Sequence, residues 1–340
     1  MRAHVLVVRL DSDGDVLLAG PAIRAVAADA RRVTLLCGPR GNQAAELLPG
    51  VDEIVVHLAP WIDPEPEPVS REQTFALIGQ LAALALDQAI VLTSFHQSAL
   101  PTALLLRLAG VPTIAAVSED YPGSLVDVRH RGDDDVHEVE RALSLVATLG
   151  YQLPAGDDGR LRIRGTSTEN PASKGAHIVV HPGASVPART WPAEKHAALV
   201  EALVGAGRRV VVTGGPGERR LTAYVAGTGA LDLGGKTTLA ELAELLAGGA
   251  AVVVGNSGPA HLAAAVGTPV VSLFAPVVPA VRWRPWLVPH ILLGDQNAPC
   301  AGTRARMCPV RGHPCLETVS VADVVAAVEA LAPVEEAIPV

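Results

Sequence analysis

The apolar positions follow two alternating rhythms. Short runs of β-branched and aliphatic residues recur, and each is followed by a longer stretch with helical spacing. In the first half, Val5–Leu10, Val33–Cys37, Glu53–His57, Ala89–Thr93 and Thr113–Val117 read as strands. Between them Asp15–Ala30, Gly41–Leu48, Glu72–Leu86 and Ser98–Ala109 read as helices, and Leu58–Arg71 as a proline-rich loop. His137–Leu149 carries Val139, Leu143, Val146 and Leu149 on one stripe and reads as a further helix. Pro154–Ala176 breaks the rhythm and reads as a linker, with one short strand at Arg160–Ile163. A second series follows, with strands His177–His181, Arg209–Thr213, Ala230–Leu233, Ala251–Val254 and Val270–Phe274. Its helices are Ala193–Ala206, Glu218–Ala226, Leu239–Leu246 and Pro259–Val266, with a last helix near Val321–Leu331. Continuous apolar strands alternating with helices predict parallel sheets covered on both faces. The expected organisation is one domain over 1–160, a second over 177–320, and a helix and tail over 321–340.

Two stretches without formal charge, Gln88–Leu106 and Leu245–Val281, have the length of membrane spans. Ser94, His96, Gln97 and Pro101 interrupt the first; Gly248, Gly249, Asn256 to Pro259, His261, Pro269 and Pro276 interrupt the second. Both therefore read as buried strand–helix units, with no transmembrane segment. The apolar run Val5–Val8 is too short for a signal-peptide core. At 340 residues the chain has room for two domains at roughly 100–200 residues each. Its net charge of −8, lack of basic runs and 3% aromatic content argue against a nucleic-acid partner. Cys37, Cys300, Cys308 and Cys315 fit a reducing, cytoplasmic setting better than a disulfide scaffold.

The loops after the strands carry the candidate chemistry. Asp11-Ser12-Asp13-Gly14-Asp15 follows the first strand and opens the first helix. Gly14 permits a tight turn or close ligand approach. Asp15 has two readings: a first-turn carboxylate stabilised by the helix dipole, and a general base. A calcium loop would need Gly and Glu at other spacings. His181-Pro182-Gly183-Ala184-Ser185 and Arg189-Thr190-Trp191-Pro192 end another strand. They offer backbone N–H groups, the Ser185 hydroxyl and the Arg189 guanidinium to an anion, or else form an ordinary loop anchored by Trp191.

Thr213-Gly214-Gly215-Pro216-Gly217-Glu218 allows close ligand approach, and Glu218 is a first-turn acid or a ribose-hydroxyl acceptor. Arg220 stands where a dinucleotide G-x-G-x-x-G would need glycine, and Ala230 where a P-loop before Gly235-Lys236-Thr237 would need one. Thr238 and Glu241 match a capping box instead. In Gly255-Asn256-Ser257-Gly258-Pro259-Ala260-His261, Asn256 or Ser257 can cap a helix whose free N–H groups suit a diphosphate. Cys300, Cys308 and Cys315 with His313 could hold zinc, although their spacing favours packed, reduced cysteines and no cofactor.

Taken in order, these segments resemble the ADP-heptose:lipopolysaccharide heptosyltransferases, glycosyltransferase family 9. The resemblance rests on Ser12-Asp13-Gly14-Asp15, Arg189-Thr190-Trp191-Pro192, Gly214 to Glu218, Gly235 to Leu242 and Asn256 to His261. It implies a GT-B fold: two Rossmann-like doubly wound domains facing a central cleft, the first for acceptor and the second for a nucleotide sugar. It further implies an inverting, metal-independent transfer. Asp15 would deprotonate the acceptor hydroxyl, with Ser12, Asp13 and Gly14 forming the acceptor-side loop. Ser185, Arg189 and the N–H groups at Ser257 and Gly258 would stabilise the departing diphosphate. Gly214 and Gly215 would line the donor, Glu218 would accept from the ribose, and His261 would lie near the phosphates or sugar. Domain closure would limit hydrolysis of the donor.

This sequence departs from the family pattern at two charged positions: Arg189 replaces a lysine, and Asn256 an aspartate. Ala275-Pro276-Val277-Val278-Pro279 also replaces the family's Gly-Pro-Thr. These differences bear on sugar identity more than on reaction type. The donor implied is ADP-heptose, and the acceptor a glycan, a lipid-linked glycan or a small molecule, compatible with peripheral membrane contact. Two other readings fit the same architecture: a nucleotide-sugar-binding protein without transferase activity, and a nucleotide-sugar epimerase.

Overall fold

The computed structural model describes residues 2–132, 135–165 and 177–333. The chain divides into two compact units, Met1–Arg164 and Gly165–Val340. In the first unit the elements run β1 (His4–Arg9), α1 (Asp13–Asp29), β2 (Arg32–Cys37), α2 (Asn42–Leu47), β3 (Glu53–Val56) and α3 (Arg71–Ala83). They continue with β4 (Gln88–Val91), α4 (Leu100–Leu108), β5 (Thr113–Val117), β6 (Val128–His130) and α5 (Glu138–Ala147). The second unit begins with β7 (His177–His181), α6 (Ala193–Gly205), β8 (Val210–Val212), α7 (Arg219–Ala226), β9 (Leu231–Asp232), α8 (Leu239–Ala247) and β10 (Gly249–Gly255). It ends with α9 (Gly258–Ala265), β11 (Val270–Leu273), α10 (Ala280–Trp283), β12 (His290–Leu293), α11 (Pro314–Glu317) and α12 (Val321–Leu331).

Both sheets are six-stranded and parallel, ordered β3-β2-β1-β4-β5-β6 and β12-β11-β10-β7-β8-β9. Counted from its own first strand, each unit has the same order. Strand order therefore reverses between β1 and β4 in one unit and between β7 and β10 in the other, and the carboxyl ends there are where ligands bind in such sheets. The central strands are apolar throughout because helices cover both faces: Val5, Leu6 and Val8 are fully buried, as are Ala251 to Val254. The fold is α/β, of the GT-B class.

The alternating pattern located the central elements, while several details differ from the sequence reading. Helix α1 starts at Asp13 rather than Asp15, with Ser12 as its N-cap. In α5 the buried stripe runs through Val139, Ala142, Leu145 and Val146, not through Leu143 and Leu149. The sequence reading left out the edge strands β6 and β12, in which every residue is only half-buried: β6 (Val-Arg-His) has no apolar run, and β12 has only the short run Ile291–Leu293. No strand forms at Arg160–Ile163. The Arg160 N–H is taken by Asp158 Oδ1 (3.1 Å), Arg24 of α1 donates to the Arg160 carbonyl (2.8 Å), and just beyond the segment the Arg164 N–H donates to Leu47 O (2.7 Å). Residues 154–164 thus belong to the first unit; most of the rest of the expected linker, 166–176, lies outside the described residues, as does the tail from 334. Among the described residues no helix is long and apolar enough to cross a membrane.

Arg24 also grips Asp157 with two bonds, Nε to Oδ2 at 2.7 Å and Nη2 to Oδ1 at 2.9 Å, and both side chains are buried. Those hydrogen bonds hold the Asp157 carboxyl below its ordinary range. The resulting stabilisation is complete above the ordinary carboxylate pKa and is lost as pH falls through it toward the lowered value. Asp157→Ala, which strands the guanidinium, should destabilise this unit by about 3 kcal/mol at pH 7. Urea unfolding at pH 7 and pH 3 should show that difference shrinking in acid.

Candidate active site

In the first unit the site residues gather at the β1/β4 switch point. Arg9, the last residue of β1, is buried and spreads its guanidinium over three carboxylates. Nε lies 3.0 Å from Asp11, Nη2 lies 3.0 Å from Asp15, and Nη1 lies 3.6 Å from Glu138. Nη2 also donates to Ser94 Oγ (2.9 Å), in the loop after β4. From that same loop Gln97 Nε2 donates to Asp11 Oδ1, closing the cluster across the two strands. Burial works to lower the Arg9 pKa, but the three carboxylates outweigh it and raise it. Burial also pushes the Asp11 carboxyl up to about 6, with Arg9 opposing and Asp15 reinforcing the rise.

Asp15 sits at the third position of α1. Its Oδ2 accepts from the Ser12 hydroxyl (2.8 Å) and more weakly from the Ser12 N–H (3.4 Å), while Oδ1 takes Arg9. The helix-terminus role and a poised carboxylate are therefore one geometry, and the side chain remains 21% exposed. Asp13 points away from this cluster. Its Oδ1 accepts the Ala44 N–H (3.0 Å), docking α2 on the loop, and burial raises its pKa. Gly14 is buried at the second position of α1.

In the second unit the equivalent loops meet at the β7/β10 switch point. The chain leaves β7 through Gly183 and an exposed Ser185, then makes a 3-10 turn at Pro187–Arg189. Arg189 Nη1 donates to the Asn256 carbonyl (3.4 Å), bridging the two strand ends. Gly255 is required there, since a Cβ would lie 2.8 Å from the Arg189 carbonyl. The contact between residues 189 and 256 thus runs through backbone, not through a side-chain pair. The Asn256 amide is committed elsewhere: Nδ2 donates to Ala275 O (3.2 Å) and Oδ1 accepts Ala275 N–H (3.3 Å), tying β10 to the loop after β11.

The helix α9 terminus corrects two expectations. Ser257 is the N-cap, yet neither Ser257 nor Asn256 caps through its side chain. The Ser257 N–H turns back to Gly255 O (2.8 Å), so it is not free for an anion; among the described residues the Gly258 N–H has no acceptor. His261 is buried one turn further on. Glu218 closes a 3-10 turn, Pro216–Glu218, and is the N-cap of α7, which starts at Arg219, one residue after the expected position. Its Oε2 accepts the Gly215 N–H (2.7 Å), and its carboxylate lies flat over Gly183, where a Cβ would come within 1.9 Å of Oε1. Gly214 is needed for the same reason, its Cβ position falling 2.6 Å from Thr222. These glycines make room for the protein's own Glu218 and Thr222 side chains.

Three contributors escaped the sequence reading. His181 was a strand-end residue without a role; its Nδ1 pairs with Thr213 Oγ1 (3.0 Å) and its Nε2 lies 3.9 Å from Glu218. Burial lowers its pKa, so a neutral ring backs the acid. Arg9 and Glu138 stood in plain elements with no spacing to link them. The segment from Cys300 to Cys315 braces the loops after β7 and β11: Ala188 N–H donates to Arg306 O (3.0 Å), His313 Nε2 pairs with Ala188 O (3.1 Å), and Arg304 N–H donates to Val277 O (2.8 Å). Cys300 and Cys315 are buried in the core, and the Cys315 thiol is pushed up to about 12 by burial and the adjacent Cys300. Among the described residues no group of three His, Cys, Asp or Glu is arranged to hold a metal ion. Trp191 is the expected anchor, its indole N–H bound to Val319 O (3.2 Å). The capping box of Thr238 and Glu241 is formed.

Twin Rossmann-type units with polar loops at both switch points define the class of GT-B glycosyltransferase architectures. Within that class, the chain belongs to glycosyltransferase family 9 (heptosyltransferase), whose model matches residues 74–312. It is 30% identical over 215 residues to lipopolysaccharide heptosyltransferase 3 of Escherichia coli strain K12, covering 58% of this chain and 60% of that protein. It is 36% identical over 106 residues to lipooligosaccharide heptosyltransferase 2 of Haemophilus influenzae, covering 29% of this chain and 31% of that protein. The chain therefore spans less than two thirds of these relatives. In fold it is similar to a family 9 glycosyl transferase from Veillonella parvula (TM-score 0.76, 20% identity, 97% of each chain). It is similar too to E. coli heptosyltransferase WaaC with ADP-2-deoxy-2-fluoro heptose (TM-score 0.74, 22% identity, 97% of this chain and 100% of that one).

The Asn256–Ala275 pairing uses both a donor and an acceptor, which a carboxylate cannot supply. Asn256→Asp should therefore lower stability by about 1–3 kcal/mol, seen as a fall in the melting temperature of the second unit at neutral pH. An unchanged melting temperature would show that the amide pairing contributes nothing.

Proposed function

We propose that the protein is an inverting, metal-independent glycosyltransferase that moves a heptose-type sugar from a nucleotide donor, ADP-heptose, to a hydroxyl acceptor. Acceptor binding falls to residues 1–160 and donor binding to 177–320, in a cytoplasmic setting. The acceptor class is a glycan, lipid-linked or small-molecule hydroxyl. The observation that carries this function is the Asp15 carboxylate, held at the β1 switch point by Arg9 and Ser12 yet still partly exposed. Family membership and the relative that carries an ADP-sugar analogue support the donor class.

In this mechanism the acceptor hydroxyl gives its proton to Asp15 as its oxygen attacks the anomeric carbon. The bond from that carbon to the diphosphate oxygen breaks, and nucleoside diphosphate departs with the electron pair. Arg189, Ser185 and the Gly258 N–H stabilise the charge that develops on it, a preorganised electrostatic role. The transfer is read as independent of metal from the family resemblance, with the Arg189 guanidinium supplying positive charge at the site. Glu218 accepts from a ribose hydroxyl through Oε1, the oxygen left over after Gly215 has taken Oε2. Gly214 and Gly215 line the nucleotide, and His261 lies by the phosphates or sugar. Asn256 acts on the donor indirectly, by holding the loop at Ala275 in place.

A thermal-shift panel of ADP-, GDP-, UDP- and TDP-sugars should show a rise of several degrees with the ADP-sugar alone, since saturation at about 100 Kd contributes about 2.7 kcal/mol. Shifts with none of the four would sink the reading. Asp15→Ala should keep that shift and lose at least about 100-fold in turnover, and EDTA should leave wild-type turnover unchanged. Donor binding without turnover on any acceptor would mark a binding protein instead.

A further inference from the structure

Arg9 presents a difficulty for any base at Asp15. A buried guanidinium 3.0 Å from a carboxylate stabilises its ionised form and weakens it as a proton acceptor. The same guanidinium, however, is divided. Its Nε edge is turned to Asp11 at 3.0 Å, and its Nη1 to Glu138 at 3.6 Å. Asp11 is itself fixed, since Gln97 from the loop after β4 donates to its Oδ1. Around Asp11 stand Arg9 on β1, Asp15 on α1, Gln97 after β4 and Glu138 on α5, with Arg141 of α5 3.8 Å from Glu138. Three acids and two bases thus share one buried pocket, and the charge felt by each depends on the others.

We propose that Asp11 is a positioning residue for the transfer: by drawing the charge of Arg9 to its Nε edge, and by its own negative charge, it keeps Asp15 basic enough to take the acceptor proton. Asp11 touches neither donor nor acceptor and acts through Arg9. The inference rests on the reading of Asp15 as base. Burial brings the Asp11 carboxyl to about 6, so the site loses this support near the lower end of the physiological range. Below that pH, Asp11 is neutral and the full charge of Arg9 falls on Asp15 and Glu138.

The test is the pH profile of kcat for the full chain with a saturating nucleotide sugar and acceptor. Wild type should show a broad acid limb, as two coupled carboxylates titrate. Asp11→Asn and Asp11→Ser both remove the charge, the second without leaving an amide donor against Arg9 Nε. Both should move the acid limb down by about one pH unit. Both should also lower the plateau about threefold to tenfold, with donor KM unchanged and the protein still folded at the assay temperature. Glu138→Gln, at the longer distance, should give a smaller shift of the same sign. Asp15→Ala separates the two ideas: if it turns over normally, the base assignment fails regardless of Asp11. If Asp15→Ala is inactive while both Asp11 variants keep the wild-type limb and plateau, the role of Asp11 is refuted. A folding loss in Asp11→Asn alone leaves Asp11→Ser to decide. A folding loss in both refutes the positioning role, because the charge is then structural.

Discussion

A parallel sheet whose strand order reverses leaves a gap at the carboxyl ends of the two central strands, because the chain departs from them toward opposite sides. Both units are organised around that constraint. Between β1 and β4 the gap is filled by the Arg9 cluster; between β7 and β10 it is spanned by Arg189 and the Asn256 carbonyl. Each polar loop of interest exists because a buried apolar strand delivers it to that edge and the following helix carries the chain away.

The two gaps are filled with opposite chemistry. The first holds a surplus of carboxylate around buried guanidinium, a setting suited to proton transfer. The second offers a guanidinium, an exposed serine and a helix N-terminal amide, a setting suited to an anion. A formal charge of −8 does not oppose such a setting, because the attraction for an anion is local, set by a few oriented groups.

The glycines show how a motif can serve the protein before it serves a ligand. Gly183 and Gly214 make room for the Glu218 carboxylate, and Gly255 for the turn that carries Arg189. Asn256 likewise has its amide engaged by Ala275, which fixes the loop after β11. The cysteine-bearing segment has the same character: its backbone and His313 brace the Arg189 turn, while its thiols pack in the core.

The sequence by itself determined the central strands and helices, the class of fold and the positions of the strand-end loops. Those follow from periodicity and turn chemistry, which are local: Thr113–Val117, His177–His181 and Val321–Leu331 are strands and a helix at the expected residues. Asp15 and Glu218 stood out in the sequence because each follows a glycine in the loop after a strand, and Arg189 because it stands in a turn bounded by Pro187 and Pro192. Only the tertiary structure decided what those residues touch. Arg9 and Glu138 lie far apart in the chain and meet because α5 packs beside α1. The Ser257 N–H is consumed by a two-residue turn, and the short edge strand β6 forms by pairing with β5 and not by an apolar pattern of its own. Partnership across a sheet depends on strand order and register, and no local pattern in the chain encodes either.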